Sequence, residues 1–100
     1  MIRSFPVRPL SSAVPGALAD LLRHAPLSAG KVAFAWRAAV GTAMERGSSI
    51  RLDGQVLVVD AADRHWALEI RRLSGVILSR LQNLLGPDVV TSLDVRPPRQ

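Results

Sequence analysis

The sequence has no cysteine and no tyrosine, a single lysine, Lys31, and two histidines, His24 and His65. The missing thiols exclude a disulfide framework, a thiolate zinc knuckle and a cysteine nucleophile. Each histidine stands beside an arginine, with no second ligand at metal spacing and no partner placed to make it a general base. Asp60 and Asp63 are the nearest approach to a carboxylate pair, but Asp63 reads as a helix cap and Asp60 as the end of a strand. The serines at 11, 12, 48 and 49 have no nucleophile elbow around them. No apolar run is long enough to cross a bilayer, and Pro6, Pro9 and Pro15 interrupt the stretch where a signal peptide would need an unbroken apolar core. These absences predict a soluble, cytoplasmic, non-catalytic protein with no catalytic residues, no metal and no cofactor.

What is abundant is arginine: twelve of the thirteen Lys and Arg residues, against eight acids, for a formal charge of +5. Arginine's planar fork suits phosphates and stacked bases. A GC-rich genome would also favour Arg, together with the abundant Ala, Val and Gly, so position along the chain has to decide. A chain of 100 residues makes one domain, able to bury roughly 65% of its unfolded surface without metal or disulfide.

Residues 1–12 are punctuated by proline and read as a flexible segment, residues 13–96 as the domain, and residues 97–100 as a short polar tail. From Val14 to His24, Leu18, Leu21 and Leu22 recur at helical spacing until Pro26. A second helix starts at Ser28 as N-cap and ends at Gly47, with Val32, Trp36, Ala39, Val40 and Ala43 on one side. Asp53 and Gly54 between two alternating segments signal a hairpin. With those two as the turn, Ile50 faces Leu57 and Ser48 faces Val59. One sheet face then carries Ile50, Leu52, Leu57 and Val59. Asp63 caps a single long third helix with Trp66, Ile70, Leu73, Ile77, Leu81 and Leu84 inward, closed by Gly86 and Pro87. A last strand, Val89 to Val95, turns Val89, Thr91, Leu93 and Val95 inward.

The order is two helices, a hairpin, a helix and a strand (ααββαβ). A helix between the second and third strands returns the chain parallel, through a right-handed crossover. The expected fold is α+β, two layers, with a mixed three-stranded sheet and every helix on one face. Val56, Val58 and Val90 are left on the other face, among Arg51 and Asp60. Apolar patches of this kind mark contact sites.

The helix ending in "WRAAVG" (Trp36 to Gly41), the strand pair around "DGQVLVVDA", "HWALEI" leading into "LSRLQNLLG", and the final "VVTSLDVR" together resemble the DciA family of bacterial proteins. The resemblance spans roughly Lys31 to Arg96. It implies a KH-like fold, akin to the N-terminal domain of the replication initiator DnaA. It also implies a partner, the replicative helicase of DnaB type, and DNA, possibly single-stranded, as a second ligand, with a role in helicase loading. Many relatives carry a long flexible C-terminal extension, where here residues 97–100 follow Arg96. The GxxG loop with which ordinary KH domains clamp a nucleic-acid backbone is absent between the helices.

Candidate site residues follow from helical phase. Trp36 and Trp66 lie in the apolar stripes of their helices and read as core. Phe34 points nearly opposite Trp36, beside Lys31 and Arg37, and either meets a partner or packs on Leu18, Leu21 and Leu22. Arg64 and Arg71, seven apart, share a face away from the core, and Arg72 lies about 100° around from it with Glu69 in reach. Arg64, Arg71, Arg72, Arg37 and Lys31 are the candidate nucleic-acid residues; Phe34, Val56 and Val58 are the candidate protein contacts. The residues leave three readings open: an adaptor for helicase and DNA, a KH-like RNA-binding module, or a protein-interaction domain that forms weak homodimers without binding nucleic acid.

Overall fold

The computed structural model describes residues 20, 21 and 24–98. Within them the order is α1 (Ala29–Arg46), β1 (Ser48–Asp53), β2 (Val56–Ala61), α2 (Arg64–Arg72), α3 (Ser74–Leu85) and β3 (Ser92–Arg96). Most of the first expected helix lies outside the described residues; Asp20, Leu21 and His24 are helical, and His24 Nδ1 donates to the Asp20 carbonyl at 2.8 Å. The sheet runs β1-β2-β3, with β1 antiparallel and β3 parallel to β2. The fold is thus the expected α+β arrangement, a mixed three-stranded sheet in a two-layer KH-like form. The crossover contains two helices where one was expected.

Both predicted N-caps are present. Ser28 Oγ accepts from the Lys31 amide at 3.1 Å and Asp63 Oδ1 from the Trp66 amide at 2.8 Å, satisfying donors that a helix start leaves free. The core is the helix-facing side of the sheet, Leu57, Val59 and Ala61, packed with Val32, Ala35, Trp36, Ala39, Val40 and Met44 of α1 and with Ile70, Ile77, Leu81 and Leu84. Ile50, Leu52, Leu93 and Val95 pack against it, half-buried on the two outer strands.

Four details depart from the sequence expectation. The hairpin turn is Gly54–Gln55, with Asp53 opposite Val56, so Leu52 meets Leu57 and Ile50 meets Val59. Gly54 takes φ +63° there, the left-handed region that glycine enters freely. Because the pairing slips by two residues, every side chain keeps its expected face.

In α1, Gly41 is non-helical (φ +86°, ψ 169°). The apolar phase therefore does not run through it, and Met44 is buried while the expected Ala43 is exposed. The long third helix is broken at Leu73, which ends α2 and precedes α3 with φ −98° and ψ 7°. Ile70 and Ile77, seven apart, still both reach the core.

The last strand begins at Ser92, because residues 87–89 turn. Gln55 Nε2 holds the Asp88 carbonyl at 2.8 Å and Gln82 Nε2 the Val90 carbonyl at 3.1 Å. Pinned this way, Val90 is buried in the core and Thr91 is exposed. The alternation read from Val89 thus misplaced both residues, and Val90 does not belong to the open sheet face.

Candidate nucleic-acid interface

Charge separates between the two layers. Within α1, α2 and α3 stand Arg37, Arg46, Arg64, Arg71, Arg72 and Arg80 along with Lys31, against Glu45 and Glu69. On the open sheet face the register sets Arg51 beside Val58, Val58 beside Asp94, and Asp60 beside Arg96. Asp53 belongs to the same face, and Arg96 closes on Asp94 at 2.9 Å. The sheet face is therefore charge-balanced and offers a polyanion little, whereas the helical layer is strongly cationic.

Within that layer the five candidate cations do not form one patch. Arg64 and Arg71 share a groove of about 440 Å³, whose floor is Ala67, Leu68, Pro97 and Pro98. Arg71 is held there by donating to the Val95 carbonyl at 3.1 Å, which fixes its guanidinium at the end of β3. Arg72 turns away and closes on Glu69 Oε1 at 2.7 Å. That hydrogen bond, helped by the charges of Arg72 and His65, holds the Glu69 carboxyl below the usual carboxylate range. Both groups of the pair are solvated, so it contributes little to stability. Arg37 is exposed on α1, which packs chiefly on α3 and β1, whereas α2 packs on β2 and β3. Lys31 does not join the set: it is buried at 9% exposure and its Nζ donates to the Ala25 carbonyl at 2.6 Å. Helical phase shows where a long side chain leaves the helix but not that its tip folds back onto the preceding loop.

The candidate protein contacts divide as well. Phe34 is exposed at 44%, and so is Leu21 at 68%, so Leu21 does not enclose the ring; Leu18 and Leu22 lie outside the described residues. Val56 is half-buried, but Val58 is buried at 2% exposure. Val58 sits on the central strand between Arg51 and Asp94. Strand alternation gives a residue's face and not how far solvent reaches it, so Val58 is removed from the contact set.

Sequence reasoning did not single out Leu68, 64% exposed between Arg64 and Arg71, or Arg80, whose Nη1 is enclosed without a hydrogen-bond partner. Leu68 was legible, since i, i+3 and i+4 spacing places it beside both arginines. Enclosure of Arg80 needs the packed neighbours. No group of three His, Cys, Asp or Glu that could hold a metal occurs among the described residues, and none of their helices is long and apolar enough to cross a membrane.

A mixed three-stranded sheet under a cationic helical layer, without the GxxG loop, defines a small KH-like α+β domain. The chain belongs to the DciA family: the family model described as "Dna[CI] antecedent, DciA" matches residues 9–95. This is a family of loader and regulator proteins associated with the replicative helicase in replication. No curated protein and no solved structure matches the chain significantly.

Proposed function

We propose that this chain is a non-enzymatic adaptor that binds a replicative helicase of DnaB type and DNA, and so assists helicase loading. The observation that carries the reading is the segregation of arginine into the helical layer of a DciA-family domain. Arg64 and Arg71, which line one groove from the same face of α2, follow the strand backbone, and Arg72 and Arg37, outside that groove, add separate contacts as the strand runs on. Such contacts position a strand without reading its sequence.

DNA binding measured against salt tests this. If the four arginines meet about four phosphates, log affinity on single strands falls with log salt at a slope of roughly −3, from about 0.7 per phosphate. Changing Arg64, Arg71 and Arg72 to Gln is expected to bring the slope to about −1 and to weaken all sequences equally. Identical curves for the two proteins would remove the arginines from the interface. Preference for single-stranded RNA over DNA of equal length would make the domain an RNA-binding module.

The helicase contact is assigned to Phe34, with Val56 as a secondary contact on the sheet. An aromatic exposed beside Arg37 has the composition of an interface anchor. Phe34→Ser is expected to lower capture of the helicase from the same cell by about tenfold or more, the equivalent of 1.4 kcal/mol, with thermal stability unchanged. Undiminished capture would place the helicase elsewhere.

A further inference from the structure

The two outer strands of the sheet are protected unequally. Beyond β3, Pro97 and Pro98 lack the N–H that another strand would need, and Arg71 already holds the Val95 carbonyl. These devices blunt a sheet edge. β1, reading SSIRLD, has neither proline nor lysine, and among the described residues it pairs only with β2. Alongside it runs an apolar trough of about 600 Å³ lined by Leu27, Val32, Ala33, Ile50, Arg51 and Leu52.

A two-residue turn makes Asp53 and Val56 the closing hydrogen-bonded pair. Alternation along an antiparallel ladder then spends the backbone groups of Asp53, Arg51 and Ser49 on β2 and directs those of Leu52, Ile50 and Ser48 outward. The free backbone groups thus belong to the residues whose side chains line the trough.

We propose that β1 pairs antiparallel with β1 of a second copy of this chain, about a two-fold axis at Leu52, joining the two sheets into one of six strands. Charge selects both occupant and register. With the axis at Leu52, Arg51 lies opposite Asp53 of the second copy, twice, in the narrow non-hydrogen-bonded pairs where side chains are closest. An axis at Arg51 would set two guanidinium groups against each other. An axis at Ile50 would leave Arg51 opposite Ser49 and Asp53 opposite Gly47. Only the Leu52 register neutralises both charges, and it brings Leu52 against its own copy over the trough. With the axis at Leu52 the ladder spans Arg51 to Asp53 of each strand, and Ile50 reaches Gly54 in the turn of the second copy; so short a ladder makes an interface at the small end, below about 1,200 Å², and the dimer is weak and depends on concentration.

Sedimentation equilibrium of the full chain tests the proposal. The average mass is expected to rise from 10.8 kDa towards twice that value between micromolar and millimolar concentration. Arg51→Asp alone and Asp53→Arg alone each set like charges opposite and are expected to abolish the rise. The two changes together are expected to restore it, which a merely misfolded hairpin would not do. The chain has no cysteine, so Leu52→Cys introduces one thiol at the axis and is expected to oxidise to a covalent dimer in dilute solution. Ser79→Cys, on the exposed side of α3, is expected not to. A chain that stays monomeric throughout, or a dimer indifferent to the charge reversals, overturns the proposal. Loss of DNA or helicase binding would leave it standing, since β1 carries none of the residues assigned to those ligands.

Discussion

Replacing Gly47 with alanine is expected to destabilise the domain by about 1–3 kcal/mol, although the change adds one methyl group at an ordinary backbone conformation. Gly47 caps α1 with φ −87°, which any residue adopts, so the cost does not come from the backbone. It comes from the Trp66 indole: a Cβ on Gly47 would stand 2.5–2.6 Å from Nε1, Cδ1 and Cε2 of that ring. The glycine cannot retreat easily, because its amide bonds the Ala43 and Met44 carbonyls at 3.1 Å and its own carbonyl accepts from Ala62 at 2.8 Å. Trp66 is therefore the group that must move, and it is packed edge-on against His65 at 5.5 Å between ring centroids. Urea unfolding measures the loss. In a Trp66→Ala background the same Gly47→Ala change is expected to cost almost nothing, because neighbours that share an obstacle are not additive. Equal costs in both backgrounds would show that the ring is not the obstacle.

The Gly47–Trp66 contact also marks where the sequence stops being informative. Local signals were enough for Ser28 and Asp63, whose side chains bond amides three residues ahead, and for the faces of the hairpin, which survive a slip of two residues. They failed where one residue resets the geometry of those after it. Gly41 read as an ordinary helix position until its φ of +86° turned Met44 inward in place of Ala43. Leu73 kept the apolar spacing of one helix while its backbone ended α2. Val90 and Thr91 exchanged roles because Gln82 and, from the hairpin turn, Gln55 hold that loop. At the candidate site the same limit applies. The positions of Arg64, Arg71 and Arg72 around α2 were legible from a 3.6-residue period, but the attachment of Arg71 to β3 and the burial of Lys31 depend on contacts made by the folded chain.

Trp36→Ala is expected to be the more damaging change, a loss of about 3–5 kcal/mol, enough to unfold a domain of this size in mild denaturant. Both tryptophans sit in apolar stripes, but Trp66 is half-buried while Trp36 is 2% exposed, so the larger loss belongs to Trp36. The ring also joins two elements: Nε1 donates to Ser48 Oγ at 3.0 Å, and Ser48 donates onward to the Met44 carbonyl at 2.7 Å. The end of α1 is thereby tied to the first residue of β1. The two contributions separate by substitution. Trp36→Phe keeps most of the apolar volume and loses the donor, and is expected to cost about 1–3 kcal/mol, as is Ser48→Ala, which leaves the indole N–H without its acceptor. Combining Trp36→Phe with Ser48→Ala is expected to cost less than the sum, since neither partner is then left unsatisfied. A fully additive double variant would mean that the hydrogen bond contributes nothing and that the ring acts by volume alone. Because Phe34 and Arg37 project from the same turn of α1 that Trp36 anchors, Trp36→Ala is expected to abolish helicase capture and DNA binding together with the fold. Phe34→Ser is expected to remove only the first, and that difference separates a surface that contacts the helicase from a core that merely holds it in place.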